Sequence, residues 1–265
     1  MSKISITTLN KMKQQGEKFT CLTAYDASFA LLQERAGIEV ILVGDSLGMV
    51  IKGQSSTLPV SMEDMVYHTA NVSRVCRQAL IMADLPFAAD VTKEQALTHS
   101  ARLMAQGGAH MVKIEGGSSR LETIRFLAER GIPVCSHLGL LPQSVFKYGG
   151  YKVQGRSAEA AAQILQDAAA LEQAGADILL LECVPAALAA QVTRQAHVPV
   201  IGIGAGSDCD AQVLVSYDML GITPGKIPSF AKNFLAESGS VEKAFELYVS
   251  QVKQGLFPGV DHKFD

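Results

Sequence analysis

Short apolar runs that recur along the chain, most of them closing on a charged residue or a glycine, constrain its fold more than any other feature. Val40-Ile41-Leu42-Val43-Gly44-Asp45-Ser46-Leu47-Gly48 is the clearest. Its β-branched and aliphatic residues read as a strand buried on both faces, and it ends in a glycine, a carboxylate and a hydroxyl. Asp and Ser at the end of a buried strand need partners, so this tip is either a turn or helix cap, or part of a metal or substrate site. The construction repeats. Residues 19–25 read as a first strand, after which Asp26 caps a helix over Ala27–Ala36 that Gly37 stops. The Val40 run is the second strand. Residues 80–83 meet Asp84-Leu85-Pro86, 111–114 meet Glu115-Gly116-Gly117, 133–136 meet His137-Leu138-Gly139, and 177–181 meet Glu182. Residues 198–203 run into Gly204-Ala205-Gly206, and residues 212–216 form an eighth strand.

Helical patterns fill the intervals. Ser61 with Asp64 opens an amphipathic helix through Cys76, Thr92 opens one that ends at Gly107-Gly108, residues 120–130 form another, and Ser157 starts an Ala-rich one closed by Gly175. Eight strands alternating with helices predict an α/β fold, a closed parallel (β/α)8 TIM barrel. No linker interrupts the composition, so residues 1–265 are predicted to form one domain, with additional helices at 8–15, 229–237 and 241–254. One interval fits badly. The seventh and eighth strands lie too close for a full crossover helix, so either that helix is abbreviated or one strand is misplaced. The segment 141–156, with Tyr148-Gly149-Gly150-Tyr151, reads as a mobile flap rather than packed structure.

A formal charge of −3 and a pI near 6.1 give neither nucleic acid nor an anionic membrane a basic surface to meet, so a small molecule is the expected partner. No apolar run approaches the roughly 20 residues of a membrane span and the amino terminus lacks a signal-peptide core, which places the protein in the cytoplasm. Cys21, Cys76, Cys135, Cys183 and Cys209 show no paired metal spacing and read as reduced residues in and around the core.

In a parallel barrel all strand ends of one kind surround one mouth. Asp45, Ser46, Asp84, Glu115, His137 and Glu182 are therefore predicted to converge there. Parity puts Lys113 on the same face as Glu115, inside the barrel, where an ammonium needs an anion. A salt bridge from Lys113 to Glu115 or Asp84 would satisfy it without any function. The remaining carboxylates would still repel one another and must protonate, separate or hold a cation. Asp45, Asp84 and Glu115 are hard oxygen donors suited to Mg²⁺, whereas Glu182, on the other side of the barrel from Asp84, is better placed as a base. His137 is either a hydrogen-bonded core residue or a substrate contact. Gly202-Ile203-Gly204-Ala205-Gly206 comes late and has no long helix after it, so it is expected to be a tight strand-end turn with close backbone approach to a ligand, not a dinucleotide fingerprint.

Taken together, Leu22-Thr23-Ala24-Tyr25-Asp26, Val43-Gly44-Asp45-Ser46-Leu47-Gly48, Asp84-Leu85-Pro86-Phe87, Val112-Lys113-Ile114-Glu115-Gly116-Gly117, His137-Leu138-Gly139-Leu140 with Pro142-Gln143, and Gly202-Ile203-Gly204-Ala205-Gly206 resemble the ketopantoate hydroxymethyltransferase family, in order, from Tyr25 to Pro228. The resemblance implies a barrel of the phosphoenolpyruvate/isocitrate lyase type, a Mg²⁺ ion, 5,10-methylenetetrahydrofolate as co-substrate beside a keto acid, and a homo-oligomer, typically a decamer. It implies metal binding by Asp45, Asp84 and Glu115, keto acid binding by Ser46 and Lys113, and proton abstraction by Glu182. Asp45, Asp84 and His137 are also expected to touch substrate. Nothing distinctive is carried over after Lys232. Two other readings compete: a lyase relative acting beside a 2-oxo acid, which would need an acid such as cysteine on the flap, where 141–156 has none; and a barrel that only binds a metabolite.

Overall fold

In the structure, a computed structural model describing residues 3–265, the strand pairing closes on itself. β1 (Phe19–Thr23), β2 (Val40–Val43), β3 (Leu80–Asp84), β4 (Met111–Glu115), β5 (Val134–Gly139), β6 (Ile178–Glu182), β7 (Val200–Ile203) and β8 (Ala211–Leu214) pair in chain order, all parallel. β8 returns to β1 through Thr20 opposite Gln212 and Cys21 opposite Val213. Side chains fill the lumen and helices cover the outside, so these strands read as nearly unbroken apolar runs.

The helices are α1 (Ile6–Gln15), α2 (Ala27–Ala36), α3 (Leu47–Val50), α4 (Met62–Ser73), α5 (Lys93–Ala105), α6 (Leu121–Ala128), α7 (Val145–Tyr148), α8 (Ala158–Ala174), α9 (Ala186–Gln195), α10 (Ser216–Met219), α11 (Phe234–Ser238) and α12 (Val241–Lys253). Their start signals act as the sequence implies. Asp26 accepts from the Ser28 and Phe29 amides at 2.8 and 3.0 Å, and Ser61 and Asp64 cap each other's backbone. α9 escaped the sequence reading because Pro185 precedes it and no side chain caps it.

Two expectations are corrected and one open alternative is resolved. The helix expected over 229–237 begins only at Phe234, because Asn233 supplies the cap by accepting the Ala236 amide. Residues 204–210 contain no helix, so the last crossover is abbreviated and both flanking strands stand. The flap is not wholly irregular: a 3-10 turn at Pro142–Ser144 leads into α7, whose Val145 is buried.

α12 seals the seam where the barrel closes. The buried Tyr248 hydroxyl lies between the carbonyls of Cys21 on β1 and Gln212 on β8, at 3.1 and 2.9 Å. Its ring packs edge-on against Phe234 and Phe257. Tyr248→Phe removes this tie while keeping the ring, and is expected to cost about 1–2 kcal/mol, since two buried carbonyls lose a donor. Calorimetric melting checks it, and an unchanged midpoint would mean that the seam holds without the hydroxyl.

Candidate active site at the C-terminal mouth of the barrel

Register builds the site. Pairing sets Lys113 beside Asp84 and Cys135, Glu115 beside His137, and Glu182 beside Gly139. Gly139 is required there: it sits at φ +91°, and a Cβ would lie 2.2 Å from the Glu182 carbonyl oxygen. The Asp45 amide donates to Asp84 Oδ2 at 3.0 Å, joining the tips of β2 and β3. Lys113 Nζ lies 3.3 Å from Asp84 Oδ1, 3.9 Å from Glu115 Oε1 and 3.1 Å from His137 Nδ1. An ammonium carries only donors, so His137 Nδ1 accepts and its proton sits on Nε2, which faces Glu182 Oε2 at 3.3 Å. Ser46 Oγ is 2.8 Å from the Tyr25 hydroxyl. All the residues singled out from the sequence, Asp45, Ser46, Asp84, Lys113, Glu115, His137 and Glu182, thus line one cavity of about 820 Å³.

The electrostatics are unbalanced. Burial, reinforced by the charge of Asp84, pushes the Asp45 carboxyl up to about 7, and burial takes Glu182 to about 7 against the opposing pull of Lys113. Glu115 is also raised, again chiefly by burial. Burial alone would depress Lys113, but Asp84, Glu115 and Asp45 outweigh it and hold the ammonium above its usual range. Burial and the Lys113 charge lower His137, so its imidazole is neutral. One buried ammonium therefore faces four carboxylates. The Lys113 salt bridge exists, but one ammonium does not match four carboxyl groups, and the remainder is met by protonation, which raises Asp45, Glu115 and Glu182.

Two buried oxygens, Asp84 Oδ1 and Glu115 Oε1, make no hydrogen bond. Among the described residues no three His, Cys, Asp or Glu side chains converge into a ready-made chelate. The two unpartnered carboxylate oxygens are hard donors of the kind that Mg²⁺ takes together with water. The donor set is carboxylate-rich, with Cys183 the one cysteine among the residues lining the cavity, so it offers no thiolate zinc site. Burial raises the Cys183 thiol at the cavity wall, which opposes a nucleophilic role.

Some contributors were given no role from the sequence. Gln143 reaches from the flap to two of the carboxylates, and Tyr25 holds Ser46. Phe264, beyond the last residue the resemblance covers, lines the cavity and packs edge-on against Phe230. The Gly202–Gly206 turn makes its close approaches to protein: a Cβ at Gly204 would meet the Phe230 ring at 2.9 Å, and one at Gly206 the Ala186 Cβ at 2.6 Å.

Solved structures share this architecture at low identity. A phosphoenolpyruvate phosphomutase from Streptomyces platensis subsp. rosaceus superposes with a TM-score of 0.60 at 14% identity, over 82% of this chain and 83% of that one. A phosphonopyruvate hydrolase in complex with oxalate and Mg²⁺ gives 0.61 at 15% identity, over 98% and 90%. A 2,3-dimethylmalate lyase of the PEP mutase/isocitrate lyase superfamily gives 0.58 at 18% identity, over 82% of each. The fold is thus a TIM barrel like those of these structures, with a cluster of ionisable residues at its C-terminal mouth. Residues 3–260 match the family described as ketopantoate hydroxymethyltransferase. Proteins named 3-methyl-2-oxobutanoate hydroxymethyltransferase are 56% identical in Shewanella loihica, over all of both chains, and 58% identical in Nitrosococcus oceani, over 97% of this chain and 98% of that one. The chain belongs to the ketopantoate hydroxymethyltransferase family and is a transferase.

Proposed function

We propose that this enzyme transfers a hydroxymethyl group from 5,10-methylenetetrahydrofolate to 3-methyl-2-oxobutanoate, giving 2-dehydropantoate for pantothenate synthesis. The observation that carries the reading is the division of the mouth into two parts. Asp45, Asp84 and Glu115 gather around Lys113, while Glu182 stands apart on β6 beside the neutral His137. The names of the relatives supply the substrate.

Asp45, Asp84 and Glu115 would hold Mg²⁺, which when bound to a 2-oxo acid draws electron density from its carbonyl and acidifies the neighbouring C–H. Ser46 and Lys113 bind the keto acid, and the Lys113 ammonium stabilises the negative charge that develops on its oxygen. Glu182 takes the C3 proton. His137 places Nε2 3.3 Å from Glu182 Oε2, with its ring held by the Lys113 bond to Nδ1. The C3 carbon then forms a bond to the methylene carbon, the bonds of that carbon to the folate nitrogens break, water supplies the hydroxyl, its other hydrogen and the proton taken by Glu182 go to the two nitrogens, and tetrahydrofolate leaves. A cavity of about 820 Å³ has room for a second, larger substrate beside a five-carbon acid. A homo-oligomer, typically a decamer, is the form that the family resemblance implies. Among the described residues no helix is long and apolar enough to cross a membrane, in keeping with a cytoplasmic enzyme.

Turnover of the keto acid with and without methylenetetrahydrofolate tests the reading, which requires the one-carbon donor for net product. Asp84→Asn keeps the side chain's shape but removes a charge, and is expected to weaken Mg²⁺ binding and turnover together by about tenfold or more. Calorimetric titration of Mg²⁺ into both proteins measures it. Equal affinities would make Asp84 a structural partner of Lys113.

A further inference from the structure

From its position between three strand tips, we infer that Gln143 is a positioning residue that sets the Asp45 and Glu115 carboxylates for cation binding and couples the flap to them. The inference rests on the proposed metal site. Gln143 lies in the 3-10 turn after β5. Its side-chain Nε2 donates to Asp45 Oδ2 at 2.9 Å and to the Leu85 carbonyl at 3.0 Å, while its backbone amide donates to Glu115 Oε2 at 3.0 Å. Both hydrogens of the amide group are used, so its orientation is fixed and cannot reverse without placing the amide oxygen against a carboxylate.

This arrangement does what no charged residue in its place would do. Asp45 and Glu115 repel each other, and Gln143 gives each a neutral donor without adding another cation that would compete with a metal ion. It occupies one oxygen of each carboxylate, Oδ2 and Oε2, and so selects which oxygen stays open. In Glu115 the open one is Oε1, which is buried without a hydrogen bond and lies 3.9 Å from Lys113 Nζ. The Leu85 carbonyl follows Asp84 directly, so the same amide also anchors the end of β3. Partners of ligating carboxylates hold them in the geometry a metal requires, and their loss typically lowers metal affinity by about 10- to 100-fold. Because Gln143 belongs to the flap, the three tips and the Pro142–Tyr148 segment hold one another in place.

Gln143→Leu keeps the length but has no donor, and Gln143→Asn keeps the donor but is one methylene too short to span Asp45 and Leu85. The purified proteins are titrated with Mg²⁺ in a calorimeter without substrate, and with Mn²⁺ while its electron paramagnetic resonance spectrum is recorded. Both variants are expected to melt like the parent without metal, to bind Mg²⁺ about 10- to 100-fold more weakly, and to broaden the spectrum of bound Mn²⁺ through a less regular ligand field. If Gln143→Leu melts early, Gln143→Asn carries the comparison. A parent that binds Mg²⁺ alongside variants that bind it equally well, with the same Mn²⁺ spectrum, would overturn the role of Gln143 alone. A parent that binds neither ion would overturn the metal site itself.

Discussion

Glu182→Gln is expected to exchange the C3 hydrogen of 3-methyl-2-oxobutanoate with D₂O about 10²- to 10⁴-fold more slowly than the parent, the usual loss when a positioned base is removed. Removal of the proton needs only the keto acid, the cation and the base, so the parent should exchange without any one-carbon donor. Glutamine has the size of Glu182 but cannot accept the proton, and it can still face His137 Nε2 through its oxygen, so keto acid binding should survive. The parent's pH dependence follows from the same group. Burial takes Glu182 to about 7, and a base must be unprotonated, so exchange should rise with pH through that region and then level off. A bound cation favours the carboxylate form and moves the midpoint lower. Proton NMR follows the C3 signal directly. Exchange in Glu182→Gln at the parent's rate would remove Glu182 as the base and bring forward the other groups at the mouth.

The barrel and the polar tips were legible for a physical reason. A strand buried on both faces must be apolar until the chain leaves the sheet, so Asp84, Glu115 and Glu182 announce themselves as the last residues of such runs, and parity places Lys113 with Glu115. Gln143 stands in one of the phrases that carry the family resemblance, but no burial or parity pattern gave it a role. It is one neutral amide in a short 3-10 turn, and its partners, at or just past the ends of β2, β3 and β4, are 28 to 98 residues away in sequence. Asp167 was hidden differently, inside an Ala-rich helix where a carboxylate reads as a solvent-facing residue. In the structure it is buried, accepts from Gln163 and from the Ser118 hydroxyl, and packs so closely on Gly117 that a Cβ there would lie 2.0 Å from its Oδ2. It therefore anchors the loop that follows Glu115. Each strand shows in its own residues what it offers to the mouth, whereas the helices and loops that brace those offers depend on tertiary contacts without a local pattern.

Lys113→Met tests the charge balance of the mouth through stability. Methionine fills a similar volume, so the change removes chiefly the ammonium that lies 3.3 Å from Asp84 and 3.9 Å from Glu115. Removing one partner of a buried ion pair costs about 3–5 kcal/mol because the other charge is left uncompensated. In a chain of this size each kcal/mol lowers the melting temperature by about 2–4 °C, so a drop of roughly 6–20 °C is expected near neutral pH. The sign of its pH dependence follows from Asp45 and Glu182. Their folded values, about 7, lie above those of the unfolded chain, so what they contribute to stability is complete below the unfolded carboxylate range and is lost as pH rises through the folded values. Lys113 opposes that loss in the parent, and the variant has no such opposition. The gap between the two proteins should therefore be small near about pH 5, where the carboxylates can protonate, and widest near about pH 8. Added Mg²⁺ should narrow it at the higher pH by supplying the missing positive charge. Scanning calorimetry at several pH values without metal decides the matter, because a gap that stays constant across them would trace the loss to packing rather than to charge.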